Sequence, residues 1–314
     1  MKAIVYERYG SPDVLELQDV EKPAVTDDGV LVRIRAASTN PYDWHFMRGK
    51  PLFTRLMFGL LKPKVHSLGA DLAGEVEAVG KDVTRFRPGD AVFGEGAGTF
   101  AEYACVPERW LALKPANLTF EQAAAVPMAG GTALQGLRDG GKIQAGQKVL
   151  VHGASGGVGT FAVQIAKSFG AEVTGVCSTR NVEMVRKLGA DHVVDYTRDD
   201  FTRGDARFDL MLDTIGNRSL RECRRVLAPK AVYVFIGGRM SHLAASMLAG
   251  PFVSQDVKAV VAKRSSADLE FLSGLIESGK VTPVIDRTYK LSEVPAAIGY
   301  LEGGHARGKI VIAV

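Results

Sequence analysis

The chain has 314 residues, of which 46% are hydrophobic and 24% are charged. This length exceeds one ordinary hydrophobic core and predicts two domains. The net charge is only +4, and because the lysines and arginines are scattered, we expect no nucleic-acid partner. No apolar run reaches the ~18 residues that a membrane span needs, so we expect no membrane association.

The three cysteines, Cys105, Cys177 and Cys223, are far apart and odd in number. They indicate neither a disulfide framework nor a Cys-x-x-Cys metal site, and they are typical of a reduced compartment. The N-terminal segment Met1–Tyr6 has the pattern of a β-strand rather than of a signal peptide. We therefore expect a cytoplasmic protein.

Short β signals, separated by Gly, Pro and Asp, fill residues 1–123. Val30–Ile34, Ala73–Val79 and Asp90–Phe93 are examples. Many short strands between turn residues are typical of a small twisted β-barrel or sandwich, so the first part of the chain predicts a β domain.

From residue 124 to 265 the pattern changes to strands that alternate with helices. The predicted strands are short apolar runs, as buried parallel strands are. These strands are Lys148–His152, Glu172–Cys177, His192–Val194, Phe208–Leu212 and Ala231–Ile236. A helix with one apolar stripe from Val158 to Phe169 follows the first strand and ends before Gly170. This alternation predicts a doubly wound parallel sheet.

A helix over Asp268–Ser278 and further β signals follow, the last of them at Gly308–Ile312. We interpret this tail as returning to the first domain. The chain is therefore divided into two predicted domains, which are residues 1–123 with 266–314 and residues 124–265.

A glycine-rich turn lies between the strand Lys148–His152 and its helix. Ala154 takes the first position of a Gly-x-Gly-x-x-Gly spacing, while Gly156 and Gly159 hold the second and third. Such a turn lets backbone N–H groups and a positive helix end face one anion, and a pyrophosphate fits there. A tight turn without a ligand is the alternative. The residues predicted to contact a dinucleotide are Ala154, Ser155, Gly156, Gly157, Val158 and Gly159.

The residues after the second strand of this domain bear on which nicotinamide cofactor is bound. A site selective for NAD places Asp or Glu there, which accepts from the ribose 2′-hydroxyl. This chain has Ser178 and Arg180 instead, a hydroxyl and a guanidinium that suit a 2′-phosphate, and Tyr196 is a further candidate. The alternatives are a solvated loop charge for Arg180 and a β-forming residue for Tyr196. The sequence favours NADPH.

Short motifs occur along the whole chain, and their order is that of one superfamily. They are Asn40-Pro41-x-Asp43, Gly69-x-Asp71-x-x-Gly74-x-Val76, Pro88-Gly89-Asp90-x-Val92, Gly131-Thr132-Ala133, Ala154–Gly159, Leu188-Gly189-Ala190-Asp191 and Gly308-Lys309. The chain thus resembles the medium-chain dehydrogenase/reductase superfamily, in particular its zinc-free quinone oxidoreductase branch, which includes ζ-crystallin-like proteins. The resemblance implies an α/β fold: a GroES-like β domain made from both chain ends, a Rossmann domain between them, an active site in the interdomain cleft, and a homodimer.

The same resemblance bears on a catalytic metal. Zinc alcohol dehydrogenases of the superfamily have Cys, His and Cys at the positions of Asn40, Ala70 and Met128. None of these three residues offers a thiolate or imidazole ligand. We therefore expect no bound metal and a reaction that needs none.

The resemblance places Asn40 beside the nicotinamide, where its amide would bond the substrate oxygen or the cofactor. Related quinone reductases often carry Tyr where this chain has His45. The proton donor is therefore left open: His45 suits general acid catalysis near neutral pH, a packing role is its alternative, and Tyr42 is a further catalytic candidate. Asp43 is expected to fix the turn after Pro41. Further candidate cofactor contacts are Thr132, Gly237 and Lys309.

Without a metal, hydride transfer to a quinone or an activated enone fits best, because the conjugated carbon is electrophilic and solvent or a weak acid supplies the proton. Two apolar stretches, Leu52–Leu61 and Met240–Val253, suggest a small lipophilic acceptor, or else packing on a neighbouring domain or subunit. We expect an NADPH-dependent quinone or enone oxidoreductase. The alternatives are a 2-alkenal or enoyl double-bond reductase, and an NADPH-binding regulatory or structural protein with little turnover.

Overall fold

The computed structural model describes residues 1–52, 55–56, 59–236 and 254–314 of the chain. Within these ranges the strands are β1 (Lys2–Val5), β2 (Glu16–Asp19), β3 (Gly29–Ser38), β4 (Asp71–Val79), β5 (Ala91–Glu95), β6 (Tyr103–Pro107), β7 (Leu111–Leu113), β8 (Lys148–His152), β9 (Glu172–Cys177), β10 (His192–Asp195), β11 (Phe208–Asp213), β12 (Leu227–Phe235), β13 (Asp256–Ala259), β14 (Ile285–Lys290) and β15 (Lys309–Ala313). The helices are α1 (Pro41–Arg48), α2 (Phe120–Ala124), α3 (Pro127–Gln135), α4 (Gly157–Ser168), α5 (Val182–Lys187), α6 (Leu220–Cys223), α7 (Ser266–Glu277) and α8 (Val294–Glu302). The predicted apolar stretch at Met240–Val253 lies outside the described residues, as does part of Leu52–Leu61.

The chain forms two compact units. Unit 1 comprises Met1–Met128, Arg264–Glu277 and Pro283–Val314, and unit 2 comprises Ala129–Lys263 and Ser278–Thr282. The predicted boundaries differ from these units at residues 124–128, 264–265 and 278–282. Local hydrogen bonds accompany the first and the last of these differences. Met128 N–H donates to Asp71 within unit 1, whereas Thr282 exchanges two backbone-to-amide hydrogen bonds with Gln164 of α4 within unit 2.

The main sheet of unit 1 has the strand order β14-β15-β3-β4-β5-β7, with β6 also paired to β3. The long strand β3 joins its parts. One edge of β3 pairs with β4, and the other edge is shared by β6, along Gly29–Arg33, and β15, along Ala36–Ser38. Alternate side chains of β3, among them Val30 and Val32, are fully buried in the core. Because β15 is the last strand, the C-terminal segment returns to the first sheet, as predicted.

In unit 2 the described strands form a parallel sheet in the order β10-β9-β8-β11-β12-β13. Counted along unit 2, this is the Rossmann order 3-2-1-4-5-6. The five predicted strands are all present, and the predicted fold class is confirmed. The edge strand β13 was not predicted, because its residues Asp256–Ala259 form no apolar run and are largely exposed.

The strand order of unit 2 reverses between β8 and β11. Ligands of such sheets bind beyond the carboxyl ends of the strands at this switch point. Strand β8 ends at His152, directly before Gly153, and α4 begins at Gly157. The glycine-rich turn therefore lies at the switch point, with the apolar stripe of α4 buried behind it.

The cysteines of the chain are free thiols. Burial raises the pKa of Cys177 to about 11 and the pKa of Cys223 to about 12, so neither is a thiolate at neutral pH. Among the described residues, no helix combines the length and the apolar character that a membrane crossing needs.

Three buried polar side chains connect the carboxyl halves of β8, β11 and β12. Asp213 Oδ1 lies 2.8 Å from His152 Nδ1, and the Tyr233 hydroxyl donates to Asp213 Oδ2 at 2.7 Å. The backbone N–H groups of Ile215 and Gly216 donate to Asp213 Oδ1 as well. Burial by itself raises the pKa of Asp213, but these partners outweigh it and hold the pKa below the ordinary value of 3.8. The fold thus stabilises the ionised carboxylate.

The Asp213→Asn variant tests this network. We expect it to lower the free energy of unfolding by roughly 1–3 kcal/mol at neutral pH, because hydrogen bonds to a charged acceptor are lost. A carboxyl whose pKa is depressed in the folded state contributes stability above its unfolded pKa and loses that contribution as the pH falls. The difference between wild type and variant, measured by urea unfolding at several pH values, is therefore expected to shrink as the pH falls below the ordinary pKa of 3.8.

Asp209→Asn is the matched control for that measurement. Asp209 lies at the other end of the same strand, and its Oδ2 accepts from Lys148 N–H at 2.8 Å in an exposed position. We expect a smaller loss of stability from it. A loss for Asp213→Asn that is the same at every pH would contradict the assignment of an ionised Asp213.

Candidate functional site

The turn after β8 can be built only with glycine at two of its positions. Gly153 has a φ of +87°, and a Cβ there would lie 2.4 Å from Thr214 Oγ1. A Cβ on Gly159 would lie 2.0 Å from the Gly153 carbonyl oxygen. The turn is tied to β9, since the N–H groups of Gly153 and Ala154 donate to the Val176 carbonyl at 3.2 and 3.0 Å. Close packing of strand, turn and helix therefore requires this glycine spacing.

The N-terminus of α4 is open to an anion. Its N-cap is Gly156, so no side chain caps the first turn of the helix. A Cβ on Gly156 would meet only the Gly153 carbonyl oxygen, at 3.5 Å, which leaves the outer face of the turn clear. The first N–H groups of a helix have no partner within the helix and carry its positive dipole end. This turn fits a pyrophosphate, and Ser155 to Gly159 are the residues that would hold it.

The carboxyl ends of β9 and β10 lie beside this turn, because the two strands follow β8 in the sheet order. Ser178 directly follows β9 and is half-buried, and Arg180 two residues later is exposed. Tyr196 directly follows β10, with 54% of its surface exposed, and its N–H donates to Cys177 O at 3.0 Å. The structure thus brings three of the predicted cofactor residues to one edge of the sheet.

Asn181 was missed in the sequence, and it connects two of the predicted residues. Its Nδ2 donates to Ser155 Oγ at 3.0 Å and to Ser178 Oγ at 3.2 Å. The side chain is buried, with only 4% of the residue exposed. No local signal marks it, because an Asn that follows a strand is an ordinary turn residue.

The carboxylate of Asp195, at the end of β10, accepts hydrogen bonds from two neighbouring threonines. Thr179 Oγ1 donates to Asp195 Oδ2 at 2.6 Å, and Thr197 donates to Asp195 Oδ1 from both its hydroxyl and its backbone N–H. These hydrogen bonds lower the pKa of Asp195. Residues 178–181, after β9, contain no carboxylate at all. Of the other predicted cofactor contacts, Thr132 lies buried in α3, and Gly237 lies outside the described residues.

In unit 1 a helix, α1, follows Pro41, where a turn had been predicted. Asn40 is its N-cap, and Asp43 closes a capping box: Asp43 Oδ2 accepts from Asn40 N–H at 2.7 Å. The other oxygen of Asp43 accepts from Gly69 N–H at 3.0 Å. Burial raises the pKa of Asp43 to about 7, although both N–H donors lower it. Asp43 therefore anchors the start of α1 to the loop before β4.

Asn40 belongs to a buried polar cluster that we call the Lys309 cluster. Its members are Ser38, Thr39, Asn40, Asp71 and Lys309. The Lys309 ammonium donates to Asn40 Oδ1 at 2.6 Å, to the Thr39 carbonyl at 3.0 Å and to Asp71 Oδ2 at 3.2 Å. An ammonium has three N–H donors, and here all three have protein acceptors. The predicted contact of Lys309 with the cofactor stays a prediction.

The amide of Asn40 is also engaged at both ends. Its Oδ1 accepts from Lys309, and its Nδ2 donates to Asp71 Oδ2 at 2.9 Å. The Ser38 hydroxyl donates to the same Asp71 oxygen at 2.7 Å, and Met128 N–H donates to Asp71 Oδ1 at 3.0 Å. The geometry gives Asn40 a positioning role, and its predicted catalytic role stays a prediction.

Tyr42 and His45 lie on α1. Tyr42 is 37% exposed, and burial, together with the neighbouring Asp43, raises its pKa. His45 Nδ1 lies 2.9 Å from the Lys50 carbonyl, and its ring stacks on Trp44 at a centroid distance of 3.7 Å. These contacts agree with the packing alternative for His45. The choice of proton donor between the two residues stays a prediction.

Glu95 is a titratable residue that, like Asn181, was not predicted from the sequence. It lies directly opposite Asp71 across β4 and β5. Burial and this like charge raise the pKa of Glu95 to about 7, while Arg264, whose Nε lies 3.6 Å from Glu95 Oε2, lowers it. Two facing carboxylates in a buried place do not ionise together easily, which is the physical cause of the raised pKa of Glu95.

The three residues at the positions of zinc ligands have other structural roles. Asn40 bonds Lys309, Ala70 is fully buried, and Met128 contributes its backbone N–H to Asp71. Over the described parts of the chain, no group of three or more His, Cys, Asp or Glu side chains has the arrangement of a metal site.

A chain that combines a mixed β unit with a Rossmann sheet, whose switch point carries a glycine-rich turn, has the features of nicotinamide-dependent oxidoreductases. Residues 26–116 match the alcohol dehydrogenase GroES-like domain, and residues 188–312 match a domain described as zinc-binding dehydrogenase. The chain belongs to the medium-chain dehydrogenase/reductase superfamily, in the quinone oxidoreductase branch, as predicted.

Individual relatives support this placement. The 2-methylene-furan-3-one reductase of Solanum lycopersicum is 37% identical, over 99% of this chain and 79% of that protein. The chloroplastic NADPH-dependent alkenal/one oxidoreductase of Arabidopsis thaliana is also 37% identical, with the same coverage. The structure of the quinone oxidoreductase from Coxiella burnetii superimposes with a TM-score of 0.89 at 30% identity, and it covers 100% of this chain and 99% of that chain.

The Lys309→Met variant tests the Lys309 cluster. It leaves Asp71 buried without a counter-charge, and we expect the free energy of unfolding to fall by roughly 3–5 kcal/mol. The double variant Asp71→Asn/Lys309→Met removes both charges and is expected to regain part of this loss, which urea unfolding of both proteins measures.

Lys2→Met is the control, because it breaks the exposed pair between Lys2 and Asp19, which are 2.7 Å apart. No measurable change is expected from it. If Lys309→Met were as stable as Lys2→Met, the ion pair would not hold the cluster together.

Proposed function

We propose that this protein is an NADPH-dependent oxidoreductase that reduces activated enones and quinones without a metal ion. The observation that carries the proposal is the uncapped N-terminus of α4 beside a strand end that bears Ser178 and Arg180 in place of a carboxylate. Bound NADPH supplies a hydride to the acceptor. The residues of the chain bind and orient the reactants.

The glycine-rich turn and the residues after β9 would bind different parts of the cofactor. The backbone N–H groups of Ser155, Gly157, Val158 and Gly159 hold the pyrophosphate at the helix end, whereas the Gly156 N–H donates to the Gly153 carbonyl at 3.0 Å. The Ser178 hydroxyl and the Arg180 guanidinium bind the 2′-phosphate through charge-assisted hydrogen bonds. A carboxylate at either position would repel that phosphate. The lack of one therefore favours NADPH over NADH.

The names of the relatives support the class of acceptor. Two of them reduce a methylene-furanone and an alkenal or enone, and a third is a quinone oxidoreductase. These acceptors share an electrophilic carbon that is conjugated to a carbonyl group. Hydride addition to such a carbon needs a weak acid rather than a Lewis acid, which agrees with the residues at the three zinc-ligand positions. A small lipophilic enone or quinone is therefore the proposed substrate.

Two further properties belong to the same proposal. A cytoplasmic location is supported by the free cysteines, although relatives are named as chloroplastic and mitochondrial. A homodimer is what the superfamily resemblance implies. Both stay predictions, as do the interdomain location of the active site and the absence of nucleic-acid and membrane partners.

NADPH oxidation against a panel of 1,4-quinones, 2-alkenals, cyclic enones and saturated ketones tests the reaction. We expect turnover of the conjugated acceptors and none of the saturated ketones, because only the conjugated carbon accepts hydride without a Lewis acid. Prior dialysis against a zinc chelator is expected to leave kcat unchanged. An absence of turnover with every conjugated acceptor would favour the binding-protein alternative, and loss of activity after chelation would contradict metal independence.

Arg180→Ala tests the cofactor preference. Loss of a charge-assisted contact with the phosphate is expected to raise the KM for NADPH by about tenfold to a hundredfold, with little change for NADH. The control is Arg186→Ala, which removes an exposed guanidinium from α5 that pairs with Glu183 at 3.0 Å. Equal losses for NADPH and NADH in Arg180→Ala would remove Arg180 from the phosphate site.

A further inference from the structure

Asn181 stands between the two halves of the proposed nucleotide site. It closes the short turn Thr179–Asn181 after β9 and precedes α5. Its two amide N–H groups are directed to two serine hydroxyls: Ser155 on the glycine-rich turn and Ser178 at the end of β9. The Asn181 side chain therefore connects the glycine-rich turn with Ser178, which is proposed to select NADPH.

The amide also has an unusual feature, because its Oδ1 is buried and has no hydrogen-bond partner among the described residues. A buried acceptor without a partner is unfavourable for folding. An apolar side chain of the same size would avoid this cost. The presence of an amide at this position is therefore explained best by the two hydroxyls that its N–H groups hold.

The direction of these hydrogen bonds determines what the serines can bind. A hydroxyl has one donor and two acceptor lone pairs. When Ser155 Oγ and Ser178 Oγ accept from Asn181 Nδ2, each O–H is directed away from the amide. Two O–H donors are then left for an external acceptor, and a phosphate, which carries only acceptor oxygens, suits them. Both serines are half-buried, so each has access to solvent.

We propose that Asn181 is a positioning residue for cofactor specificity, which orients the Ser155 and Ser178 hydroxyls as donors to the 2′-phosphate of NADPH. This inference rests on the proposed NADPH-dependent function. Asn181 acts through the two serines and not by its own contact with the phosphate. Its identity therefore decides the polarity of the site.

Two substitutions separate this role from simple packing. Asn181→Leu removes both N–H groups and leaves the hydroxyls free to turn. Asn181→Asp keeps the shape but reverses the polarity, because a carboxylate accepts from both hydroxyls and adds a negative charge beside the phosphate. The second change is therefore expected to be the more damaging for a 2′-phosphate, whereas an NADH-type ribose without that phosphate is affected little.

Calorimetric titration of the full chain with 2′,5′-ADP and with 5′-AMP is the experiment, because the two probes differ only in the 2′-phosphate. We expect Asn181→Leu to weaken 2′,5′-ADP binding by about tenfold or more and Asn181→Asp to weaken it further. Binding of 5′-AMP is expected to change little and thereby shows that each variant is folded. The ratio of KM values for NADPH and NADH should change in parallel.

A double-mutant cycle with Ser155→Ala/Ser178→Ala completes the test. These serine variants are expected to lose 2′,5′-ADP affinity with Asn181 intact, and Asn181→Leu in that background is expected to add no further loss. Additive losses, equal weakening of both probes, or wild-type affinity of Asn181→Asp for 2′,5′-ADP would each overturn the role of Asn181. A wild-type protein that binds both probes equally would instead overturn the NADPH assignment, and with it this inference.

Discussion

Lys309 and Asp71 form an ion pair in a place that water does not reach, 3.2 Å apart and each at most 3% exposed. Burying two charges is unfavourable, and the arrangement is stable because other groups complete the hydrogen bonds of both ions. Ser38, Asn40 and the backbone N–H of Met128 do this for the carboxylate. The last strand of the chain is thereby joined to β4 and to the N-cap of α1, so the position of Asn40 follows from the pair.

Unit 2 depends on a constraint of a different kind, namely the space around the turn after β8. Side chains at Gly153 and Gly159 would collide with backbone and with Thr214, so the turn is formed without them. The same absence exposes backbone N–H groups at the end of α4, which makes an anion site without any charged side chain. The proposed specificity for NADPH rests on the neighbouring strand end, where Asn181 Nδ2 donates to the Ser155 and Ser178 hydroxyls.

The Lys309 cluster includes one of the three positions at which zinc alcohol dehydrogenases of the superfamily carry a metal ligand. Relatives of the zinc alcohol dehydrogenase type have metal ligands where this chain has Asn40, Ala70 and Met128. Here the Lys309 side chain lies next to Asn40, and its N–H groups are directed to protein acceptors. The hydrogen bond from Lys309 to Asn40 Oδ1 fixes the side chain of the N-cap residue of α1. The proposed enone and quinone acceptors, which are electrophilic through conjugation, agree with the lack of thiolate and imidazole ligands at these three positions.

The sequence by itself determined the two kinds of domain, the parallel strands, the glycine-rich turn and the lack of a carboxylate after β9, because apolar periodicity, glycine spacing and residue identity are local properties. It did not determine α1, the edge strand β13, Glu95 or Asn181. Asn181 and Glu95 have partners that are distant in the chain: Ser155 and Asn181 are 26 residues apart, and Glu95 faces Asp71 of another strand. Only the tertiary structure decided which hydroxyls, amides and charges meet, because strand order and burial bring them together.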